Sequence, residues 1–141
     1  GAPIGSMALS TSERIASARV WRKRYGAGMR QVGILAAAAD YAITHHMSDL
    51  SNDHRRAKAL ATAIAQVDTS LIDPASVVTN IVGLNLKALG ITAAELAQRT
   101  KNSGLLIVAL GPHFARLVTH RDFDDAQCDQ AIEMLAKTLV A

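Results

Sequence analysis

The segment that decides how this chain is interpreted is Trp21-Arg22-Lys23-Arg24-Tyr25-Gly26-Ala27-Gly28-Met29-Arg30-Gln31, residues 21–31. Its four cations flank a Gly-Ala-Gly break, and apolar-patterned segments lie on both sides. Glycines allow a close backbone approach, and a helix beginning after them would direct free N–H groups at the same ligand. The segment therefore predicts a phosphate or carboxylate site. The alternative is a solvated basic helix end followed by a turn, because Gly-x-Gly with flanking cations is a weak signal.

The positive charge of the chain is local. The net charge is +3, yet residues 11–31 carry six cations and a single carboxylate, so the remainder is slightly acidic. A nucleic-acid-binding protein usually spreads Lys and Arg, interleaved with aromatic residues, over a whole face. Aromatic residues make up only 4% of this chain. The pattern favours one small anionic ligand over a nucleic acid.

Composition predicts a single soluble domain or one lobe of a larger protein. The chain has 141 residues, half of them hydrophobic, which is enough for a sizeable core of Ala, Leu, Ile and Val. Cys128 is the single cysteine, which excludes an internal disulfide and fits a reducing compartment. We find neither a signal-peptide pattern nor an apolar run of membrane-spanning length, and therefore expect a cytoplasmic protein.

The first half of the chain predicts one short strand and three helices. Residues 2–9 are predicted as the strand, and Ser10 with Glu13 forms a capping box that opens a helix to about residue 25. A second helix over 29–46 is apolar nearly all round, which is typical of a buried helix. A third is predicted over about 49–67. On this helix we predict that the side chains facing the core are those of Leu50, Ala57, Ala61 and Ile64. The side chains predicted to face mostly outward are those of Asp53, Arg55, Arg56 and Lys58.

Asp73-Pro74 marks a predicted domain boundary, beyond which the pattern is β-α-β-β-α. The strands are predicted at 77–86, 105–110 and 114–119, with the last two joined as a hairpin by Gly111-Pro112. Thr92 and Glu95 form a capping box for the intervening helix, and a final helix runs from about residue 122 or 124 to the C-terminus. Residues 75–141 therefore predict a small C-terminal α+β domain, an antiparallel sheet with helices on one face.

Few other residues indicate chemistry. His45 and His46 are adjacent and diverge on a helix, and the remaining histidines have no zinc-like spacing, so we predict no metal site. Cys128 falls on an inward helix position, which favours a structural thiol over a nucleophile. Arg116 lies in an otherwise apolar strand, where it needs an anion or water as partner. From the residues alone, an edge-strand arginine reaching solvent is the alternative.

Five segments of the chain, in the order in which they occur in that family, resemble the C-terminal portion of threonine aldolases. These are pyridoxal-phosphate (PLP) enzymes with the aspartate-aminotransferase-like fold, in the aromatic amino acid β-eliminating lyase group. The segments are Gly1-Ala2-Pro3-Ile4-Gly5-Ser6-Met7, Trp21–Gln31, Asp53-His54, Thr79-Asn80-Ile81-Val82 and Arg116-Leu117-Val118-Thr119-His120. The resemblance covers nearly the whole chain. It implies an α/β fold of type I, with residues 1–74 forming the end of the large domain and the linking helices.

The resemblance also implies ligands and roles. Lys23 and Arg30 are similar to cations that reach the PLP phosphate from a neighbouring subunit, which implies a homo-oligomer. Arg116 is similar to the arginine that holds the α-carboxylate of a β-hydroxy amino acid substrate. Ala27 departs from the family, which usually has a glycine there, so it must avoid positive φ or accept a cost of about 1 kcal/mol.

A larger departure is the missing Schiff-base lysine. None of the lysines in this chain occupies the family's motif; they are Lys23, Lys58, Lys87, Lys101 and Lys137. No catalytic residue is therefore assigned, and the sequence indicates a fragment of a threonine-aldolase-like lyase that is inactive alone. The alternative is a non-catalytic module that binds a phosphorylated ligand or assembles with a partner chain.

Overall fold

A computed structural model describes residues 1–140 of the protein. The chain divides into two compact units, one comprising Gly1–Met47 and the other beginning at Ser48. The first unit contains helices α1 (Ser12–Arg24) and α2 (Gly33–His46). The second contains α3 (Leu50–Val67), β1 (Ile81–Asn85), α4 (Ala93–Asn102), β2 (Val108–Gly111), β3 (Phe114–Val118) and α5 (Asp125–Val140).

The first unit has no core of its own, because none of residues 1–47 is buried. The strand predicted over residues 2–9 is wrong: the first unit offers no second strand to pair with it, and a strand needs a hydrogen-bonding neighbour. The capping prediction for α1 is also wrong by one residue. Thr11 rather than Ser10 caps the helix, and its hydroxyl oxygen accepts from the backbone N–H of Arg14 at 3.4 Å.

Helix α2 was predicted to be buried, and within its own unit it is not. Ile34 is 73% exposed, and Tyr41 and Ile43 are more than half exposed. An apolar helix is stabilised by burial, but it is buried only where another surface packs against it. The two helices of the first unit do not provide such a surface. The helix begins at Gly33 rather than near residue 29, because residues 30–32 form a turn in which Gln31 has a φ of 55°.

The second unit has the predicted β-α-β-β-α order and the predicted α+β class. Its three-stranded antiparallel sheet has the order β1-β3-β2. The turn of the β2–β3 hairpin is Pro112-His113, because Gly111, predicted to lie in the turn, is the last residue of β2 and pairs with Phe114. Thr92 and Glu95 form the predicted reciprocal capping box at the start of α4. The strands are shorter than predicted, since pairing covers only residues 81–85, 108–111 and 114–118.

One face of this sheet packs against the helices and the other is open. Alternate residues of β1 and β3 are buried, as the pleat requires. The buried strand residues are Val82, Leu84, Ala115 and Leu117. They form one core with Leu60, Ile64, Leu96, Leu135 and other helical residues. Residues on the opposite face remain partly exposed, so the sheet is a platform with helices behind it.

Helix α3 belongs to the second unit, where it packs against α5 and β1. The units therefore divide before α3, whereas the domain boundary predicted at Asp73-Pro74 follows it. The inward positions predicted at Ala57, Ala61 and Ile64 are confirmed, but the one predicted at Leu50 is wrong, because Leu50 is 44% exposed at the first position of the helix. Asp53 was predicted to point outward and is instead buried, at 7% exposure, because its part of α3 faces the end of β3.

Candidate anion-binding sites

The cations of the first segment gather at the C-terminal end of α1. Arg22, Lys23 and Arg24 form its last turn, where positive charge interacts favourably with the helix dipole. Arg24 lies 5.0 Å from the centre of the Trp21 ring. The basic cluster, defined here as these three residues and Arg30, is exposed throughout.

The glycines of this segment have a local role that sequence analysis did not assign. Gly26, with a φ of 79°, donates its N–H to the carbonyl of Lys23, and Ala27 donates to that of Arg22. These two bonds form a Schellman motif that ends α1. Within this turn only Gly26 has positive φ, and Ala27 avoids the strain that its side chain would incur.

Lys23 and Arg30 lie on either side of this turn. The Cγ of Lys23 would be 3.6 Å from a Cβ at position 28, so its side chain runs beside Gly28. The expected helix N-terminus does not follow Gly28 directly, because α2 begins at Gly33. The segment therefore places one exposed cation, Lys23, beside Gly28, and no helix N–H groups at the glycines.

Arg116 occupies the centre of the open sheet face. β3 is the middle strand, and Arg116 pairs with Gly83 on β1 and with Val108 on β2. The alternative of an edge-strand arginine is therefore wrong. Its Nε is buried and has no hydrogen-bond partner among the described residues. A guanidinium has five N–H donors in a planar fork that matches a carboxylate, so this residue can accept an anion.

A second charged group was missed by sequence analysis. Arg56 donates to the Asp125 carboxylate at 2.6 Å and lies 3.7 Å from Asp53, and Arg55 contacts Asp125 at 2.8 Å. The hydrogen bonds from Arg56 and Arg55 lower the pKa of Asp125. The i, i+3 spacing of Asp53 and Arg56 was visible in the sequence, but Asp125 lies 69 residues from Arg56. The group ties α3 to α5.

The remaining candidates show no chemistry of their own. Cys128 is buried, and burial raises the pKa of its thiol, which disfavours the reactive thiolate. Within residues 1–140 there is no group of three or more His, Cys, Asp or Glu that could hold a metal ion. None of the helices described is long and apolar enough to cross a membrane. A cavity of about 300 Å³ between β3 and α5 is lined partly by His120, Gln127 and Gln130 and does not include Arg116.

Comparison with known proteins adds a family. A family model described as beta-eliminating lyase matches residues 1–87. The chain is 30% identical over 138 residues to the probable low-specificity L-threonine aldolase 2 of Arabidopsis thaliana, a match that covers 97% of the chain and 39% of that protein. It is 35% identical over 127 residues to the low specificity L-threonine aldolase of Escherichia coli K12, covering 90% of the chain and 36% of that protein. The chain thus spans less than two fifths of the length of these relatives.

Proposed function

Because the chain belongs to the beta-eliminating lyase family, we propose that it is part of a PLP-dependent lyase that cleaves L-threonine or allo-threonine to glycine and acetaldehyde. The names of its relatives support the reaction. The observation that carries the proposal is Arg116, a cation with an unpartnered buried N–H at the centre of an open sheet face. The activity is that of the whole enzyme, of which this chain supplies binding groups.

Arg116 holds the α-carboxylate of the substrate in this proposal. A bidentate guanidinium–carboxylate pair fixes both the position and the orientation of a small amino acid. Lys23 and Arg30 bind the PLP phosphate of a neighbouring subunit, so the complete enzyme is a homo-oligomer. Its proposed location is the cytoplasm. The cofactor, when bound, supplies a pyridine ring that accepts the electrons released by Cα–Cβ cleavage.

The isolated chain is proposed to be inactive. None of its five lysines lies in the motif that carries the covalent cofactor attachment in the family. The ammonium group of Lys58, for example, donates a hydrogen bond to the backbone carbonyl of Pro74, which connects α3 to the turn that follows it. We expect no acetaldehyde when the purified chain is incubated with PLP and L-threonine or allo-threonine. Turnover well above that of PLP alone would overturn this part of the proposal.

The phosphate role can be tested by calorimetric titration of PLP into the chain. Lys23→Ala and Arg30→Ala should each weaken PLP binding at least fivefold, because each removes one of the positive charges that bind the dianionic phosphate. Arg14→Ala is the matched control, since Arg14 is an exposed cation at the opposite end of α1. Equal affinities for all three variants and the unaltered chain would reject the assignment of Lys23 and Arg30.

A second candidate function is a non-catalytic module that binds a phosphorylated ligand or a partner chain. It is favoured by the first unit, which exposes the apolar helix α2 and buries none of its residues. The coding sequence before residue 1 discriminates between the two. An open frame that encodes the lysine motif supports the lyase, whereas a start codon near Gly1 or Met7 supports the module.

A further inference from the structure

The surroundings of Arg116 on the open sheet face are apolar. Along β3 its same-face neighbours are Phe114 and Val118, which are 46% and 42% exposed. Across the sheet it faces Gly83 and Val108, and Val108 is 45% exposed. Each of these neighbours contributes apolar surface or, at Gly83, no side chain at all. A ligand bound to Arg116 would therefore contact apolar groups around its carboxylate.

The ring of Phe114 lies over Gly83. A Cβ at position 83 would come within 2.8 Å of Cζ and 3.1 Å of Cε2 of that ring, and the first distance is shorter than real Cβ contacts show. Since Gly83 is the residue directly opposite Arg116, the ring occupies the space in which a side chain facing Arg116 would stand. The absence of a side chain at position 83 thus leaves room for the ring over the residue that is paired with Arg116.

We propose that Phe114, seated on Gly83, is the apolar wall of the Arg116 site and makes this site bind carboxylates with a larger apolar group more tightly than those with a smaller one. This inference rests on the proposed carboxylate role of Arg116. The charge of Arg116 attracts any carboxylate, but only a ligand with an apolar substituent gains by removing the exposed ring from water. Phe114 is therefore a specificity residue, and Gly83 is a positioning residue that acts through it.

The test compares acetate with benzoate as probes of the full chain. Both are titrated while the Nε–H signal of Arg116 is followed by ¹⁵N NMR; Arg116→Lys identifies that signal by its loss. We expect benzoate to bind at least fivefold more tightly than acetate. Phe114→Ala should abolish this preference while changing the acetate affinity less than twofold. Val78→Ala is the matched control, because Val78 is 75% exposed and lies outside the paired strands.

Gly83 provides a second, independent variant. Gly83→Ala should displace the ring and reduce the benzoate preference at least threefold, but should have no further effect in a chain that already carries Phe114→Ala. Phe114→Leu, which keeps an apolar side chain without a ring, should retain part of the preference and guards against a variant that fails to fold. A benzoate preference that survives Phe114→Ala would overturn the inference.

Failure of the proposed function would look different. Backbone amide shifts of Gly83 and Val108 report binding in Arg116→Gln, which removes both the guanidinium signal and the charge. If Arg116→Gln bound both probes as tightly as the unaltered chain, Arg116 would not be the carboxylate site. If Arg116→Gln abolished binding and Phe114→Ala left the preference intact, Arg116 would keep its role and only the wall formed by Phe114 would be rejected.

Discussion

The hydroxyl of Thr119 donates a 2.7 Å hydrogen bond to the backbone carbonyl of Asp53, which joins the residue after β3 to the first turns of α3. Thr119 is 1% exposed, and its backbone N–H donates to the carbonyl of Asn80 at 3.0 Å. The side-chain amide of Asn80 in turn donates to the carbonyl of Thr119 at 2.7 Å. The end of β3, the strand that carries Arg116, is therefore hydrogen-bonded both to α3 and to the residue before β1.

Thr119→Val should destabilise the second unit by about 1–2 kcal/mol, because it removes a buried hydrogen bond without changing the side-chain volume much. Urea denaturation followed by circular dichroism measures this. Thr119→Ser keeps the hydroxyl and should retain most of the hydrogen-bond contribution. A loss in Thr119→Ser without a loss in Thr119→Val would show that the methyl group, and not the hydrogen bond to Asp53, stabilises this site.

Leu84→Ala should cost about 2–5 kcal/mol, because Leu84 is fully buried between the sheet and the helices and its truncation leaves a cavity. Leu106→Ala makes the same chemical change at a residue of the second unit that is 78% exposed. It should change the free energy of unfolding by no more than about 0.5 kcal/mol. Similar costs at both positions would contradict the placement of the core on one face of the sheet.

Asp125→Asn should destabilise the protein at neutral pH, with a difference that disappears in acid. Its guanidinium partners lower the pKa of Asp125 in the folded state, so the carboxylate contributes stability above its unfolded pKa of about 3.9. That contribution is lost as the pH falls through the lower folded value. Thermal melts from pH 7 to pH 2 should therefore converge for the variant and the unaltered chain. Asp129→Asn, elsewhere on α5, is the control, and a pH-independent difference at Asp125 would contradict the ion-pair account.

Gly26→Ala should destabilise the end of α1 by about 1–2 kcal/mol, because Gly26 alone in the Schellman turn has positive φ. Gly28→Ala should have an effect within about 0.5 kcal/mol, since its Cβ would make only an ordinary 3.6 Å contact with Lys23. The fluorescence of Trp21, the single tryptophan, reports unfolding of α1. Equal effects at the two glycines would mean that the positive φ of Gly26 is not the cause of the destabilisation.

Features whose partners are close in sequence were predicted well. The Thr92–Glu95 capping box and the hairpin turn that follows Gly111 each involve residues only a few positions apart, so their side-chain types were enough to predict them. The capping residue of α1 was misplaced because Ser10 and Thr11 are adjacent and both suitable. The roles of Lys23, Arg30 and Arg116 came from resemblance to a family and stay proposals.

The α+β order of the second unit, its helix and strand periodicities and the concentration of positive charge around residues 22–30 can all be read from the amino-acid sequence. These depend on local preference and on apolar spacing, which act over a few residues. The burial of Asp53, the ion pair of Arg56 with Asp125 and the position of the Phe114 ring over Gly83, the residue paired with Arg116, became apparent only from the folded chain. Such contacts depend on which distant segments share a surface, because burial and hydrogen bonding are properties of the assembled layers and not of either segment alone.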